Sequence, residues 1–146
     1  MIAYLDSSVL ARAYLADEDG HDRAIELLDD PEIATVTGAW TRIEVSGALV
    51  RAARSGRADA AGLLELLDVD LAEGGPVTVL SAQQDAVEEM ALSLVRGNAI
   101  RAMDAWHIAV AALLLPGLAE PGEALAFASR DEAQSAVARS LGLESL

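Results

Sequence analysis

Short apolar segments alternate with segments of helical periodicity along the whole chain, and this alternation limits the possible folds more than any other feature. The first apolar segment, Ile2–Leu5, runs directly into Asp6, Ser7 and the start of an amphipathic helix. Later strand-like segments cover residues 33–37, 76–80 and 125–129. Strands that alternate with helices favour a parallel sheet covered on both faces. The sequence therefore predicts a three-layer α/β/α sandwich around a mostly parallel sheet of about four to five strands.

The length and composition indicate one α/β domain over residues 1–146. The longest uninterrupted apolar run, residues 108–115, is far shorter than the ~20 residues of a membrane span. There is no cysteine, and no basic, apolar leader opens the chain. We therefore expect a cytoplasmic protein that does not associate with membranes.

The helix-period segments have recognisable ends. Ser81 and Gln84 have the spacing of a capping box at one helix start, and Pro116-Gly117 is expected to lie in a loop after a buried helix. The predicted helices cover about residues 8–16, 21–28, 40–54, 58–67, 81–96, 104–115 and 132–141.

The formal net charge is −14, which argues against indiscriminate attraction to nucleic acid. Much of the excess lies in residues 17–32, where eight acids are opposed only by Arg23. All ten basic residues are arginines, so the chain contains no lysine.

Two acids sit near the ends of the first two strands, and each has an ordinary structural explanation. Asp6 follows the first strand, where an aspartate also makes a good helix cap. Glu44 lies early in the helix after the second strand, where it could complete a capping box with Thr41 or simply face solvent.

Two further acids begin later helices. Asp104 shares a helical stripe with apolar residues, so it needs a partner, unless it is the N-cap of the buried helix. Asp131 follows the fourth strand, where Ser129 and Glu132 have the spacing of a capping box.

Considered together, these four acids predict a metal site. Parallel strands place every strand-to-helix junction at the same edge of the sheet, so the carboxylates are expected to converge there. Carboxylates that share a cleft repel one another unless they take up protons or share a cation. Oxygen ligands without His or Cys suit Mg²⁺ or Mn²⁺, which serve phosphodiester chemistry in such clusters.

The segments around these acids resemble the signature blocks of the PIN-domain ribonucleases, and most of all those of VapC toxins from toxin–antitoxin operons. The resemblance spans nearly the whole chain and is carried by residues 4–10 (YLDSSVL), 41–45 (TRIEV), 101–109 (RAMDAWHIA) and 127–131 (FASRD). Gly38 departs from the pattern, since relatives often carry serine after the second strand.

The resemblance implies a metal-dependent endoribonuclease that cleaves structured RNA, such as transfer or ribosomal RNA, by a metal-activated water. It also implies a homodimer that a small cognate antitoxin inhibits. Asp6 and Asp104 would be the principal metal ligands, Glu44 would complete the acidic set, and Asp131 would be the fourth position. Ser7 and Ser129 match hydroxyl positions that shape such sites.

Several other residues are candidates for roles in RNA binding. The arginines expected near the acidic edge are Arg12, Arg42, Arg51, Arg54, Arg101 and Arg130, as phosphate contacts or as surface ion pairs. His107 is expected to be a hydrogen-bonded packing residue rather than a general base. Trp40 and Trp106 have helical spacing that favours core positions over base stacking.

Two other classes of protein remain as alternatives. Phosphoaspartate-type phosphatases also place an aspartate after the first strand, but they are expected to use a lysine, and this chain has none. The second alternative is a non-catalytic α/β interaction domain in which the acids serve only as helix caps.

Overall fold

The structure is a computed structural model that describes residues 1–146. Its strands are β1 (Ile2–Leu5), β2 (Ala34–Gly38), β3 (Thr78–Leu80), β4 (Leu125–Ala128) and β5 (Glu144–Ser145). Its helices are α1 (Ser7–Tyr14), α2 (His21–Asp29), α3 (Ala39–Arg54), α4 (Ala60–Asp70), α5 (Gln84–Gly97), α6 (Ala102–Leu118) and α7 (Glu132–Ser140).

The strands form one parallel sheet in the order β3-β2-β1-β4-β5. The central strand is β1, in which Tyr4 is in register with Val36 on one side and Phe127 on the other. Helices cover both faces of the sheet, so the predicted three-layer α/β fold is confirmed.

Successive side chains of β1 contribute to different cores because side chains alternate between the two faces of a strand. Ile2 and Tyr4 pack in one core with residues of α5, α6 and α7, whereas Ala3 and Leu5 pack in the other with residues of α1 to α4. The two cores contain 17 and 16 buried residues, so neither face of β1 is left for polar side chains. This explains why β1 reads as a continuous apolar run.

The strand order reverses at β1, and the reversal creates a crevice at one edge of the sheet. From β1 the chain builds outward to β2 and β3, and then crosses through α5 and α6 to β4 on the opposite side. In open parallel sheets the carboxyl ends of the strands at such a reversal form the usual ligand crevice. Asp6 follows β1 and Asp131 follows β4, so both border it.

Two elements differ from the sequence prediction near the end of the chain. The strand β5 was not predicted, because its two exposed residues offer neither length nor apolar alternation. The helix α6 continues to Leu118, so the prediction of a loop at Pro116 is wrong. Pro116 still removes its own i→i−4 donor, but only two residues of α6 follow it, so a kink there disturbs almost none of the helix. No helix of the structure is both long and apolar enough to cross a membrane.

The predicted capping box at Ser81 is also wrong. The helix α5 begins at Gln84 with Gln83 as its N-cap, and no side chain caps it. The Gln84 amide instead donates to Glu88 Oε1, one turn further along the helix, at 2.6 Å.

Candidate functional site at the carboxyl edge of the sheet

Asp6 is buried at the end of β1, with 5% of its surface exposed. Its Oδ2 accepts a hydrogen bond from the Ser8 backbone N–H at 2.9 Å and caps α1. Its Oδ1 accepts a hydrogen bond from Gln134 Nε2 at 3.3 Å and lies 3.7 Å from His107 Nε2. The capping role is therefore real but uses only one carboxylate oxygen, and side chains from α6 and α7 surround the other.

Glu44 is connected to the central strand by a chain of hydrogen bonds through His107, which is 1% exposed. Tyr4 Oη lies 2.8 Å from His107 Nδ1, and His107 Nε2 lies 2.6 Å from Glu44 Oε2. Burial, and then the nearby charge of Asp6, raise the pKa of the Tyr4 hydroxyl. The phenol therefore stays protonated and donates a hydrogen bond to His107 Nδ1. His107 Nε2 then donates to Glu44, and the predicted hydrogen-bonded packing role of His107 agrees with this arrangement.

The local explanations for Glu44 are both wrong. The helix α3 begins at Ala39, and Thr41 Oγ1 hydrogen-bonds Thr37 Oγ1 at 2.7 Å, so Thr41 forms no capping box. Glu44 is half-buried and bonded to His107, and so it is not a merely solvated side chain. Partial burial acts to raise the pKa of Glu44, but hydrogen bonds and charge from His107, together with the Ser7 hydroxyl, outweigh burial and hold this pKa below its ordinary value.

Asp104 is the third residue of α6 rather than its N-cap, which is Arg101. Arg101 Nε donates to Asp104 Oδ2 at 2.8 Å, and Arg101 Nη2 lies 3.5 Å from Asp131 Oδ2. The Arg101 guanidinium therefore joins the acid at the start of α6 to the acid after β4.

Asp131 itself is the N-cap of α7, and its Oδ1 accepts hydrogen bonds from the backbone N–H groups of Ala133 at 2.9 Å and Gln134 at 3.2 Å. The capping box expected between Ser129 and Glu132 is not formed. Ser129 Oγ accepts from the Asp131 N–H at 3.0 Å and hydrogen-bonds Gln134 Oε1. Ser129 therefore helps to fix the side chains of this edge.

Gln134 is the residue of this site that sequence reasoning missed. It is 1% exposed, and its Nε2 donates both to Asp6 Oδ1 at 3.3 Å and to the Asp104 backbone carbonyl at 3.2 Å. It thereby ties the first strand to the start of α6. A sequence signal existed, because Gln134 shares an i, i+3, i+4 stripe with Val137 and Ala138, which are apolar.

The four acids form two pairs rather than one compact cluster. Glu44 and Asp6 lie on either side of His107 Nε2, whereas Asp104 and Asp131 share Arg101. No three Asp, Glu or His side chains are placed together so as to hold a metal ion. The chemistry of the donors fits Mg²⁺ or Mn²⁺, but the arrangement as folded does not present three of them to one ion.

A groove of about 640 Å³ adjoins Glu44 between α1 and α3. Ser7, Glu44 and Arg51 all line it. Arg51 and Arg54 make no salt bridge within the chain, so both guanidinium groups are available to an external anion.

Two of the other predicted phosphate contacts are already engaged. Arg12 donates to the backbone carbonyls of Asp19 and Ser8, while Arg42 pairs with Asp68 of α4 at 2.8 Å. These arginines stabilise loops and helix contacts of the fold itself.

Trp40 contradicts the expectation that it is a core residue. It is 45% exposed at the start of α3, and only Trp106 of the pair is half-buried. Helical periodicity cannot predict this exposure, because it depends on how neighbouring elements pack against the first turn of α3.

Comparison with known protein families matches residues 3–140 to the family described as PIN domain. The matched range includes β1 except its first residue, β2 to β4, all seven helices, and every acid described above. No curated protein matches the sequence.

Proposed function

The chain belongs to the PIN domain family, whose members are generally metal-dependent nucleases, and from this premise we propose that it is a Mg²⁺- or Mn²⁺-dependent endoribonuclease. We propose further that it acts in the cytoplasm as a VapC-type toxin on structured RNA. In this role a cognate antitoxin inhibits it, and the active form is a homodimer.

One observation carries the proposal: four acids from distant parts of the sequence are linked to one another at the crevice of the sheet. His107 Nε2 lies within 4 Å of both Glu44 and Asp6. Gln134 joins Asp6 to the backbone of Asp104, and Arg101 joins Asp104 to Asp131. Helix capping accounts for Asp6 and Asp131 but for neither Glu44 nor Asp104. An acidic crevice with two acids that helix capping does not explain favours a function that uses their charge.

Asp6, Glu44, Asp104 and Asp131 are the residues that would hold the metal. A bound divalent ion would neutralise charge on the scissile phosphate and lower the pKa of a water molecule. His107 holds the Glu44 carboxylate in a single orientation, and Gln134 does the same for Asp6. Arg51 offers a positive charge to an RNA phosphate in the groove beside Glu44.

Arg101 must release Asp104 before that acid can serve as a ligand. The Arg101 side chain is 78% exposed, so solvent screens its pair with Asp104, whose own side chain is 13% exposed. An incoming RNA phosphate offers Arg101 an alternative anion, so the exchange is energetically easy. Arg101 thereby joins Arg51 as a candidate phosphate contact.

The acidic surface is where we expect a basic antitoxin to bind. Within residues 17–32, Asp17 and Glu18 are already bonded to Arg57, at 2.6 and 2.5 Å. Other acids of this segment are exposed and make no salt bridge, among them Asp22, Asp29 and Asp30 of α2 and the turn after it.

The test is digestion of transfer and ribosomal RNA with sequencing of the cleaved ends, comparing the wild type with Asp6→Asn. We expect wild-type cleavage that stops in EDTA and leaves a 5′-phosphate and a 3′-hydroxyl, and no cleavage by Asp6→Asn. Asparagine can keep the cap on α1 through its carbonyl oxygen, but its NH₂ group cannot accept the second hydrogen bond from Gln134 Nε2, so far-UV circular dichroism must first show that the variant is folded. Equal cleavage by the two proteins, or undiminished cleavage in EDTA, would refute the proposal.

A second candidate, a non-catalytic interaction domain, is favoured by one observation. No three acids or histidines are placed together for a metal ion as the chain is folded. Such a domain should gain no stability from Mn²⁺ beyond that from any salt, whereas the nuclease should gain stability through its acids.

A further inference from the structure

Both tryptophans of the chain meet at the carboxyl edge of the sheet. Trp40 lies in the first turn of α3, directly after β2, and Trp106 lies near the start of α6. Their ring centroids are 6.1 Å apart with the planes at 66°, which is an edge-to-face pair. Because Trp40 is 45% exposed, this pair contributes less to the core than its size allows, and an exposed aromatic surface next to polar groups is typical of binding sites.

A cavity of about 280 Å³ opens beside the two rings. It is lined by buried Leu80 and Val110 and by three exposed polar residues, Ser81, Gln84 and Glu88. This volume is near the lower end of the ~300–1,000 Å³ of small-ligand pockets, and the mixture of apolar surface and a few polar groups is typical of them. We call this cavity the tryptophan pocket.

The tryptophan pocket adjoins the acids through two helices. Trp40 precedes Glu44 by four residues of α3, which corresponds to about 6 Å along the helix axis. Trp106 is the sequence neighbour of His107, whose Nε2 lies 2.6 Å from Glu44. An RNA strand whose phosphate reaches the acids therefore brings a neighbouring nucleotide to the tryptophans.

We propose that the tryptophan pocket binds one unpaired nucleobase of the RNA substrate, stacked on Trp40, an inference that rests on the proposed function. A nucleobase has the required properties, since it is flat, stacks on aromatic rings and carries hydrogen-bonding groups along its edge. The pocket lies one turn of α3 from Glu44, close enough for a neighbouring nucleotide to reach it, and it accepts a base only from a loop, bulge or single strand.

The polar side of the pocket favours guanine. Gln84 donates to Glu88 Oε1, which uses one of the roughly four lone-pair sites of this carboxylate, so both Glu88 oxygens can still accept hydrogen bonds. A carboxylate accepts from N–H groups, and the Watson–Crick edge of guanine offers two neighbouring donors, N1–H and N2–H. Glu88 therefore distinguishes guanine from bases whose edges offer one donor.

The experiment uses intrinsic fluorescence, because the only tryptophans of the chain line this pocket. The probe is a uridine pentamer with guanosine at its centre, titrated into Asp6→Asn protein so that binding is measured without cleavage. We expect quenching that saturates, and binding that weakens roughly 5- to 150-fold in Trp40→Ala, the range that lost base stacking produces. Trp40→Phe should retain most of the affinity, with Trp106 as the remaining reporter.

Matched controls separate stacking from general effects on the surface. Val69→Ala removes another exposed apolar side chain, 65% exposed on α4, and should leave binding unchanged. A pentamer with an abasic centre should bind as weakly to the wild-type pocket as the guanosine pentamer binds to Trp40→Ala. Glu88→Gln should reduce the preference for guanosine over adenosine at the centre by about tenfold, in line with the ~1–3 kcal/mol of one bidentate base contact.

Equal quenching by the abasic and guanosine pentamers would overturn the proposal, as would unchanged binding in Trp40→Ala. A change of oligomeric state in Trp40→Ala, measured by sedimentation, would overturn it in favour of a contact between protein chains. These outcomes are independent of cleavage. Quenching without any metal-dependent cleavage would refute the nuclease and keep the subsite. Metal-dependent cleavage that Trp40→Ala leaves unchanged would refute the subsite and keep the nuclease.

Discussion

At the scale of single residues, Gly38 is explained by the hydroxyl of Tyr4. A Cβ atom built on Gly38 would lie 2.5 Å from Tyr4 Oη, and the Tyr4 ring has no freedom because it stacks on Phe127 and its hydroxyl bonds to His107. The φ of Gly38 is −94°, which any residue can adopt. The glycine is therefore required by lack of space and not by backbone conformation.

We expect Gly38→Ala to reduce the free energy of unfolding by about 1–3 kcal/mol, the usual effect of an extra methyl group in a packed core. In a Tyr4→Phe background the same substitution should have almost no effect, because the next atoms lie 3.6 and 3.7 Å from the new Cβ. Denaturant unfolding of the four proteins in a double-mutant cycle measures this coupling. Gly97→Ala is the control, since nothing lies within 4 Å of its Cβ; equal effects of Gly38→Ala in both backgrounds would contradict the explanation.

Glu44→Gln separates catalysis from folding at the same site. The amide oxygen of glutamine can still accept the hydrogen bond from His107 Nε2, so the free energy of unfolding should change by no more than about 1 kcal/mol. Cleavage of RNA should fall by at least ~100-fold, because the negative charge is lost. His107→Ala is the opposite case: it leaves both Tyr4 and Glu44 without their partner and should lower stability by about 2–4 kcal/mol. Normal cleavage by Glu44→Gln would remove this acid from the proposed site.

The sequence was sufficient to identify the acids of the site, but the contacts that hold their side chains could not be predicted from it. Asp6 and Asp131 were predictable because parallel topology places strand ends together, whatever else these residues do. The Arg101 bridge, the Gln134 bonds and the exposure of Trp40 depend on how α3, α6 and α7 pack, and periodicity within one helix contains no such information.

At the scale of elements, strand and helix order followed from apolar runs that are either continuous or spaced for a helix. The buried strand β1 was clear because both of its faces are covered. The strand β5 was not, because its hydrogen bonds to β4 depend on the chain returning after α7. The end of α6 was misjudged because a proline in the last turn loses little, whereas a proline in mid-helix would have ended it.

The groove between α1 and α3 predicts which arginine contacts an RNA phosphate, whereas sequence alone could not distinguish among the arginines of this edge. Arg51 lines this groove without an ion pair, while Arg42 on the same helix pairs with Asp68. For single-stranded RNA, the logarithm of the binding constant should fall with the logarithm of salt concentration, and Arg51→Ala should reduce that slope by about 0.7, the value for one phosphate contact. Binding of a labelled single-stranded RNA at several salt concentrations measures the slope. Arg42→Ala is the matched control and should leave it unchanged; equal slopes for wild type and Arg51→Ala would exclude Arg51 as a contact.

At the scale of the whole molecule, the net charge of −14 complicates any test of metal binding, because every added cation screens repulsion among the acids. A rise in unfolding temperature with Mn²⁺ is therefore informative only against NaCl at the same ionic strength. In addition to the stabilisation that NaCl gives, a bound ion present at 100 times its dissociation constant stabilises the folded state by about 2.7 kcal/mol. For a chain of this length that corresponds to roughly 5–10 °C.

We expect the wild type to show this additional rise with Mn²⁺ and Asp6→Asn to lose it, while both respond equally to NaCl. The reason is that screening depends on total charge, which the variant changes by one unit out of fourteen, whereas a bound ion depends on the particular oxygens at the crevice. Asp22→Asn, which neutralises an exposed acid of α2, is the control for the loss of one charge and should keep the full Mn²⁺ response. An identical response to Mn²⁺ in all three proteins would mean that the acids at the crevice bind no ion, and the interaction domain would then be the better account of this fold.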